Sequence, residues 1–349
     1  MKFWKKTAAL ATAAVMVLGL GACSKSDSSN TSDNDTKQEE PAGGEEDAAS
    51  DEPLKIGVIQ YTEHVALDSA YEGFVAALAD GGYKDGENIT IDFQNAQADQ
   101  SNLKTISQRF VNNGEDLILA IATPAAQSMA AETTEIPILV TAVTDLVGAS
   151  LIEDNEAPGT NVSGTSDLTP VALQFDLLQE ILPEAKTVGI MYTSSEVNSE
   201  IQAKIAMEAA EERGLAYEVG TVTNINDVAQ AVASLADKVD VIYIPTDNVL
   251  ANGMANVAAL TNEAGVPVIV GEAGMCQNGG LATVGIDYYK LGYQTGQMAI
   301  RIFEGADISA MPVEYASDAA VGVNETTAKA LGIEIPQSVM DRAVDVYTD

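Results

Sequence analysis

From Leu54 onward the chain alternates short apolar, β-branched runs with longer amphipathic stretches, and it does so twice. LKIGVIQY, ITIDFQN, EDLILAIAT and IPILVTAV read as strands, separated by the helical stretches ALDSAYEGFVAALADGGY, DQSNLKTISQRFVNNG and PAAQSMAAETT. Strands with so little charge suit a parallel sheet covered on both faces. A βαβα chain of this kind builds a doubly wound α/β lobe. After the glycine-punctuated GTNVSGTSD the alternation starts again. The second series has helices TPVALQFDLLQEIL, EVNSEIQAKIAMEAAEERG, NINDVAQAVASLAD and DNVLANGMANVAALTNEAG among strands KTVGIMYT, LAYEVGTV, VDVIYIPT and VPVIVGE. It is followed by LATVGIDYY, a helix KLGYQTGQMAIRIFEG, then MPVEYAS, AAVGVN and a short C-terminal helix. The predicted fold class is α/β: two doubly wound parallel-sheet lobes with a cleft between them.

The first 53 residues follow another pattern. Lys2, Lys5 and Lys6 precede an uncharged stretch from Thr7 to Gly21, the layout of an export signal. Leu20-Gly21-Ala22-Cys23 resembles the lipobox of bacterial lipoproteins, in which the chain is cut before the cysteine and the thiol carries lipid. Residues 1–22 are therefore expected to be a lipoprotein signal peptide, and Cys23 a lipidation site. Residues 23–53 are rich in Ser, Asp, Glu, Asn and Gly, too polar to offset their ordering entropy, and read as a disordered acidic tether. The expected location is a cell membrane, lipid-anchored on its extracytoplasmic face.

Seventeen basic residues against 52 acidic ones give a net charge of −35, which argues against binding nucleic acid through phosphates. The two cysteines, Cys23 and Cys276, leave no internal disulfide once Cys23 is acylated, and no Cys/His metal set is visible. There is no Gly-x-Ser-x-Gly elbow and no Walker loop, so neither an enzyme nor a cofactor is expected. Cys276 reads as an incidental thiol, and the tyrosines of DYYKLGY read as mostly core.

In open α/β sheets ligands bind at the carboxyl ends of strands, so candidate site residues are sought there. Thr123 can cap a helix, Pro124 suits its first position, and Ala125 and Ala126 leave their amides uncovered, as a carboxylate-binding helix start requires. Ser194 and Ser195, with Asn198, follow another strand; Asp247 stands at a third, able to pair with an ammonium group or simply to cap a helix, and Asp145 at a fourth. Gln60 and His64 follow the first strand, and Asp287 stands where a strand would cross between lobes, a hinge or ligand position. Anion-friendly helix starts and carboxylates on facing lobes suit a zwitterion such as an α-amino acid.

The strings ATPAAQSMA, AVTDLVGA, NVSGTSD, YTSSEVNS and PTDNVLANG together resemble, in order, the ABC-transporter substrate-binding lipoproteins of the tryptophan/tyrosine type. The likeness spans Leu54 to Pro336, while TEHVALD departs from the His-Pro-like stretch of relatives. The resemblance implies a type I periplasmic-binding fold, with residues 54–164 and 287–310 in one lobe and residues 165–286 and 311–349 in the other. It also implies capture of an apolar or aromatic amino acid by hinge closure, and docking on an ABC permease with a separate ATPase. By the same analogy the solute carboxylate goes to the Thr123–Ala126 and Ser194–Ser195 turns. The ammonium goes to Asp247, helped by Asp287 or Asp145, and the solute side chain lies near Gln60 and His64. A sensory solute-binding module, or a protein binding a sugar or purine, are the alternatives.

Overall fold

The computed structural model describes residues 52–348; the expected export signal, Cys23 and nearly all of the tether lie outside the described residues. The first lobe is laid down by β1 (Leu54–Gln60), β2 (Ile89–Asn95), β3 (Leu117–Ile121), β4 (Ile138–Val143) and β5 (Val162–Ser166). The second follows with β6 (Thr187–Thr193), β7 (Ala216–Val222), β8 (Val241–Ile244), β9 (Val268–Val270) and β10 (Ala282–Ile286). The chain then returns to the first sheet as β11 (Glu314–Tyr315) and ends in the second as β12 (Ala319–Asn324) and β13 (Ala343–Tyr347). The sheet orders are β11-β5-β4-β3-β1-β2 and β13-β12-β10-β9-β8-β6-β7. Every pairing among these strands is parallel except that of β10 with β12.

The uncharged strands are buried as their composition requires: β3, β4, β5 and β8 are buried along their whole length. One apolar core fills the first lobe, and two flank the sheet of the second, around Phe175 and Tyr243 on one side and Met254 and Met275 on the other. Helix boundaries follow local chemistry. Asp99 accepts the amides of Ser101 and Asn102 at the start of Gln100–Asn113, and Gly114 ends that helix in the left-handed conformation.

The chain passes between lobes three times: after β5, after β10 and before β12. The returning helix, Tyr288–Phe303, lies on Val65–Asp80 in the first lobe. Small residues allow that approach: a side chain on Gly292 would run into the Ala70 carbonyl, and one on Gly73 into that of Tyr289. Two lobe boundaries fall later than expected. β5 stays in the first sheet through Ser166, two residues past the boundary read at 164. Glu314 and Tyr315 pair with Thr165 and Ser166, so the final crossing follows Tyr315 and not Met311. The stretch DNVLANGMANVAALTNEAG breaks at Gly253 into Asn248–Asn252 and Met254–Ala264. A terminal strand, β13, stands where only a helix was expected.

Candidate functional site

In each sheet the strand order reverses once, between β1 and β3 in the first lobe and between β6 and β8 in the second. The carboxyl ends of these strands are where a doubly wound sheet opens a crevice. A small cavity of about 10 Å³, room for roughly one water, lies there between the lobes. The first lobe contributes His64, Leu67, Ala142 and Thr144, and the second contributes Asn198, Thr246, Asp247 and Asn248 together with Ala251 and Glu272. Asp167 and Tyr288, from two of the crossings, complete the lining.

The lobes are drawn together over this space. His64 Nε2 lies 3.3 Å from Asn248 Oδ1. Asn252 Nδ2 donates to the Glu63 carbonyl at 2.6 Å, and Gln202 Nε2 donates to Thr144 Oγ1 at 3.2 Å.

The site holds buried carboxylates and no lysine or arginine in its lining. Asp247 Oδ1 accepts from Thr193 Oγ1 (2.8 Å) and the Leu250 amide (2.9 Å), and Oδ2 accepts from the Thr193 amide (2.6 Å). Glu196, buried behind it, accepts from Asn198 Nδ2 (3.1 Å), Asn248 Nδ2 (2.6 Å) and the amides of Asn248 and Val249. Glu272 caps its own short helix through the amides of Gly274 (2.5 Å) and Met275 (2.7 Å). Asp167 Oδ2 accepts from the Tyr288 hydroxyl at 2.7 Å, while its buried Oδ1 has no partner. Burial raises the pKa of all four: Glu272 to about 7, with Glu196 raised further by the neighbouring Asp247 charge. Burial pulls His64 down to about 4, so it is neutral near pH 7 and supplies no compensating charge.

The first-lobe strand ends have strained backbone, at Ala142 in the cavity lining and at Ala122 on the adjacent strand outside it. Ala122, after β3, has φ 80° and ψ 153°, and Ala142, near the end of the neighbouring β4, has φ 54°. Alanine rarely adopts positive φ, and such residues cluster at ligand clamps. Thr123 begins the helix Thr123–Glu132 and is fully buried, with an unpartnered Oγ1. Further unpartnered buried atoms are His64 Nδ1, Asn198 Oδ1 and Gln202 Oε1. Buried polar atoms without partners are costly and call for an explanation.

The candidates named from sequence are thus only partly assembled. His64, Asn198 and Asp247 line the cavity. Thr123 is the first helical residue and makes no cap bond, because Ala122 holds the cap position. Ala126 donates its amide to the Ala122 carbonyl at 3.1 Å, leaving Thr123 and Ala125 as the first-turn amides without an intrahelical acceptor. Gln60, the last residue of β1, turns toward the following helix, donating to Asp68 Oδ1 at 2.7 Å and to the Thr62 carbonyl. Ser194 and Ser195 are exposed, and Ser194 is tied to the Val222 carbonyl, away from the cavity. Asp145 caps a local turn through the Gly148 amide. Asp287 is exposed, caps Tyr288–Phe303 through the Lys290 amide and pairs with the Lys290 ammonium at 3.4 Å. It stands at the crossing that follows β10 and does not line the inner cavity. Asp167, Thr246, Glu272 and Tyr288 were not singled out as site residues from sequence. Asp167 is the last residue of GTNVSGTSD, the glycine-punctuated stretch after which the alternation restarts. Cys276 is buried and its thiol pKa is raised by burial, in keeping with an inert thiol.

Comparison with known proteins agrees with this architecture. The family described as ABC transporter substrate binding protein matches residues 55–347. A tyrosine-binding protein of Clostridioides difficile (strain R20291) is 41% identical over 331 residues, covering 95% of this chain and 93% of the relative. A crystal structure of an ABC domain from Streptococcus pneumonia in complex with L-Trp is 40% identical, covering 84% of this chain and 99% of that one, with a TM-score of 0.82. The ligand-free, open structure of a Clostridium difficile substrate binding protein with adhesive properties is 46% identical, covering 85% of this chain and 100% of that one. Its TM-score is only 0.66. From the match along nearly the whole described body, the chain belongs to the ABC transporter substrate-binding protein family.

Proposed function

We propose that the protein captures an aromatic or other apolar amino acid between its lobes and delivers it to an ABC importer on the extracytoplasmic face of a membrane. The observation that carries this reading is the polarity of the cleft. Buried carboxylates without a basic partner stand on the second lobe and the crossings, and on the first lobe, one strand over from the lining Ala142, stand first-turn amides and an unpaired Thr123 hydroxyl. A zwitterion supplies both missing charges: its ammonium replaces the absent cation, and its carboxylate meets the amides of Thr123 and Ala125. The names of two relatives, one tyrosine-binding and one solved with L-Trp, support an aromatic side chain.

An amino acid is far larger than the present cavity, so capture requires the lobes to part at the three crossings and close again over the solute. His64 and Asn248 then meet above it. Nothing in the site calls for bond making or breaking. Lipid on Cys23 is the proposed anchor; replacing Cys23 by Ser should move the protein from the membrane to the soluble fraction, and continued membrane partitioning would refute it.

The ligand assignment is tested by thermal-shift and calorimetric titration with L-Tyr, L-Trp, other amino acids, sugars and purines. A solute that binds only the folded state adds about 2.7 kcal/mol at 100 times its Kd. Stabilisation by a sugar or purine with none by any amino acid would overturn the proposal.

A further inference from the structure

We infer that Asp167, and not Asp247, receives the solute's ammonium group, and that Tyr288 positions it; the inference rests on the amino-acid reading above. Three of the four buried carboxylates are already committed to the protein. Asp247 is held by the Thr193 amide and hydroxyl and by the amide of Leu250, both oxygens being used. Glu272 has an amide on each oxygen. Glu196 has two side-chain amides and two backbone amides, and it does not line the cavity. Loading an ammonium onto any of these means sharing an oxygen that already anchors a helix start.

Asp167 differs. It is 4% exposed, lines the cavity, and has one oxygen satisfied by Tyr288 and the other buried without a hydrogen bond of regular geometry, the Thr144 hydroxyl being the one other side chain that favours its charged form. An acceptor in that condition costs free energy until a donor arrives, and a charged donor is the strongest available. Its place in the chain adds a consequence. Asp167 directly follows β5, with its amide on the Val143 carbonyl at 3.1 Å, and Tyr288 opens the helix that follows β10. Their hydrogen bond ties two of the three crossings together across 121 positions of sequence. An ammonium on Oδ1 would therefore bear on the hinge itself, so the group that identifies an amino acid also favours the closed geometry.

The test is a specificity ratio. The full chain and its variants are titrated with L-Tyr and L-Trp and with the same molecules lacking the amine, 3-(4-hydroxyphenyl)propionate and indole-3-propionate. Asp167→Asn, nearly isosteric, should weaken amino-acid binding about 100-fold and leave the deaminated analogue within about twofold, collapsing the ratio. Asp247→Asn should lower both ligands together, through its helix start, and preserve the ratio. Tyr288→Phe keeps the carboxylate but frees it, and should cost the amino acid about tenfold with little effect on the analogue. Melting curves establish that each variant is folded; should Asp167→Asn not fold, the Tyr288→Phe ratio decides. Parental discrimination in Asp167→Asn, or equal losses for both ligands in Tyr288→Phe, overturns the inference. If the parent protein binds no amino acid at all, the functional proposal fails instead, and the two failures are distinct.

Discussion

Replacing Ala122 by glycine should leave the protein as stable as the parent or slightly more so, against the usual penalty for Ala→Gly in a buried segment. At φ 80° and ψ 153°, Ala122 occupies a region that is essentially restricted to glycine, at a cost of about 1–3 kcal/mol. Glycine releases that strain. It also forfeits about 0.8 kcal/mol for the buried methyl and about 0.5–1 kcal/mol for the added freedom of the unfolded chain. At the centre of these ranges the balance is about 0.5 kcal/mol on the stabilising side. Ala120, two residues earlier in β3, is equally buried and does not have positive φ, so Ala120→Gly incurs only the losses, about 1.5 kcal/mol. The two variants should therefore differ by about 2 kcal/mol in unfolding free energy from urea denaturation. Equal destabilisation by both substitutions would refute the argument that this turn is strained. Strain relief should also weaken solute binding, since a glycine turn holds the first-turn amides less rigidly.

Glu272, raised by burial to about 7, makes stability depend on pH. Its pKa is higher folded than unfolded, so its stabilising effect is complete below about pH 4.5 and is lost as pH rises through about 7, a change of about 3 kcal/mol. Glu272→Gln should flatten the neutral limb of a melting-temperature profile, and a variant profile parallel to the parent's would count against it. His64, held down to about 4, acts in the opposite sense, losing stability as pH falls below about 6.5. Asn252→Ala removes the bond from Nδ2 to the Glu63 carbonyl across the cleft. It should shift the population toward open lobes, weakening solute affinity about fivefold and enlarging the radius of gyration by X-ray scattering; unchanged values in both would contradict the role assigned to that bond. Gly292→Ala places a methyl against the Ala70 carbonyl and should cost at least about 3 kcal/mol, read by denaturation. A loss under about 1 kcal/mol would mean that the two helices part easily.

The alternation of apolar runs and amphipathic stretches was enough to establish two doubly wound lobes, because strand burial and helix periodicity are local consequences of residue order. β3 and β4 are as uncharged as a doubly covered strand must be, and Asp99 and Gly114 bound their helix by chemistry within a few residues. The strand ends where the cleft lies follow from the same local pattern, but it does not fix which side chains at those ends face inward. Ser194 and Ser195 precede the helix Val197–Glu212 and turn outward, while Glu196 and Asn198 turn inward, a difference of one residue in the phase of a turn. Asp247 looked like an ammonium acceptor or a cap, and its surroundings from β6, distant in sequence, make it a cap. Asp167 ends the glycine-punctuated GTNVSGTSD, but nothing local to it marks it as buried or as half-satisfied. Its burial, its partner on Tyr288 and its free oxygen arise only when the crossings of both lobes meet, because desolvation and hydrogen-bond satisfaction depend on every neighbour in space and not on neighbours along the chain.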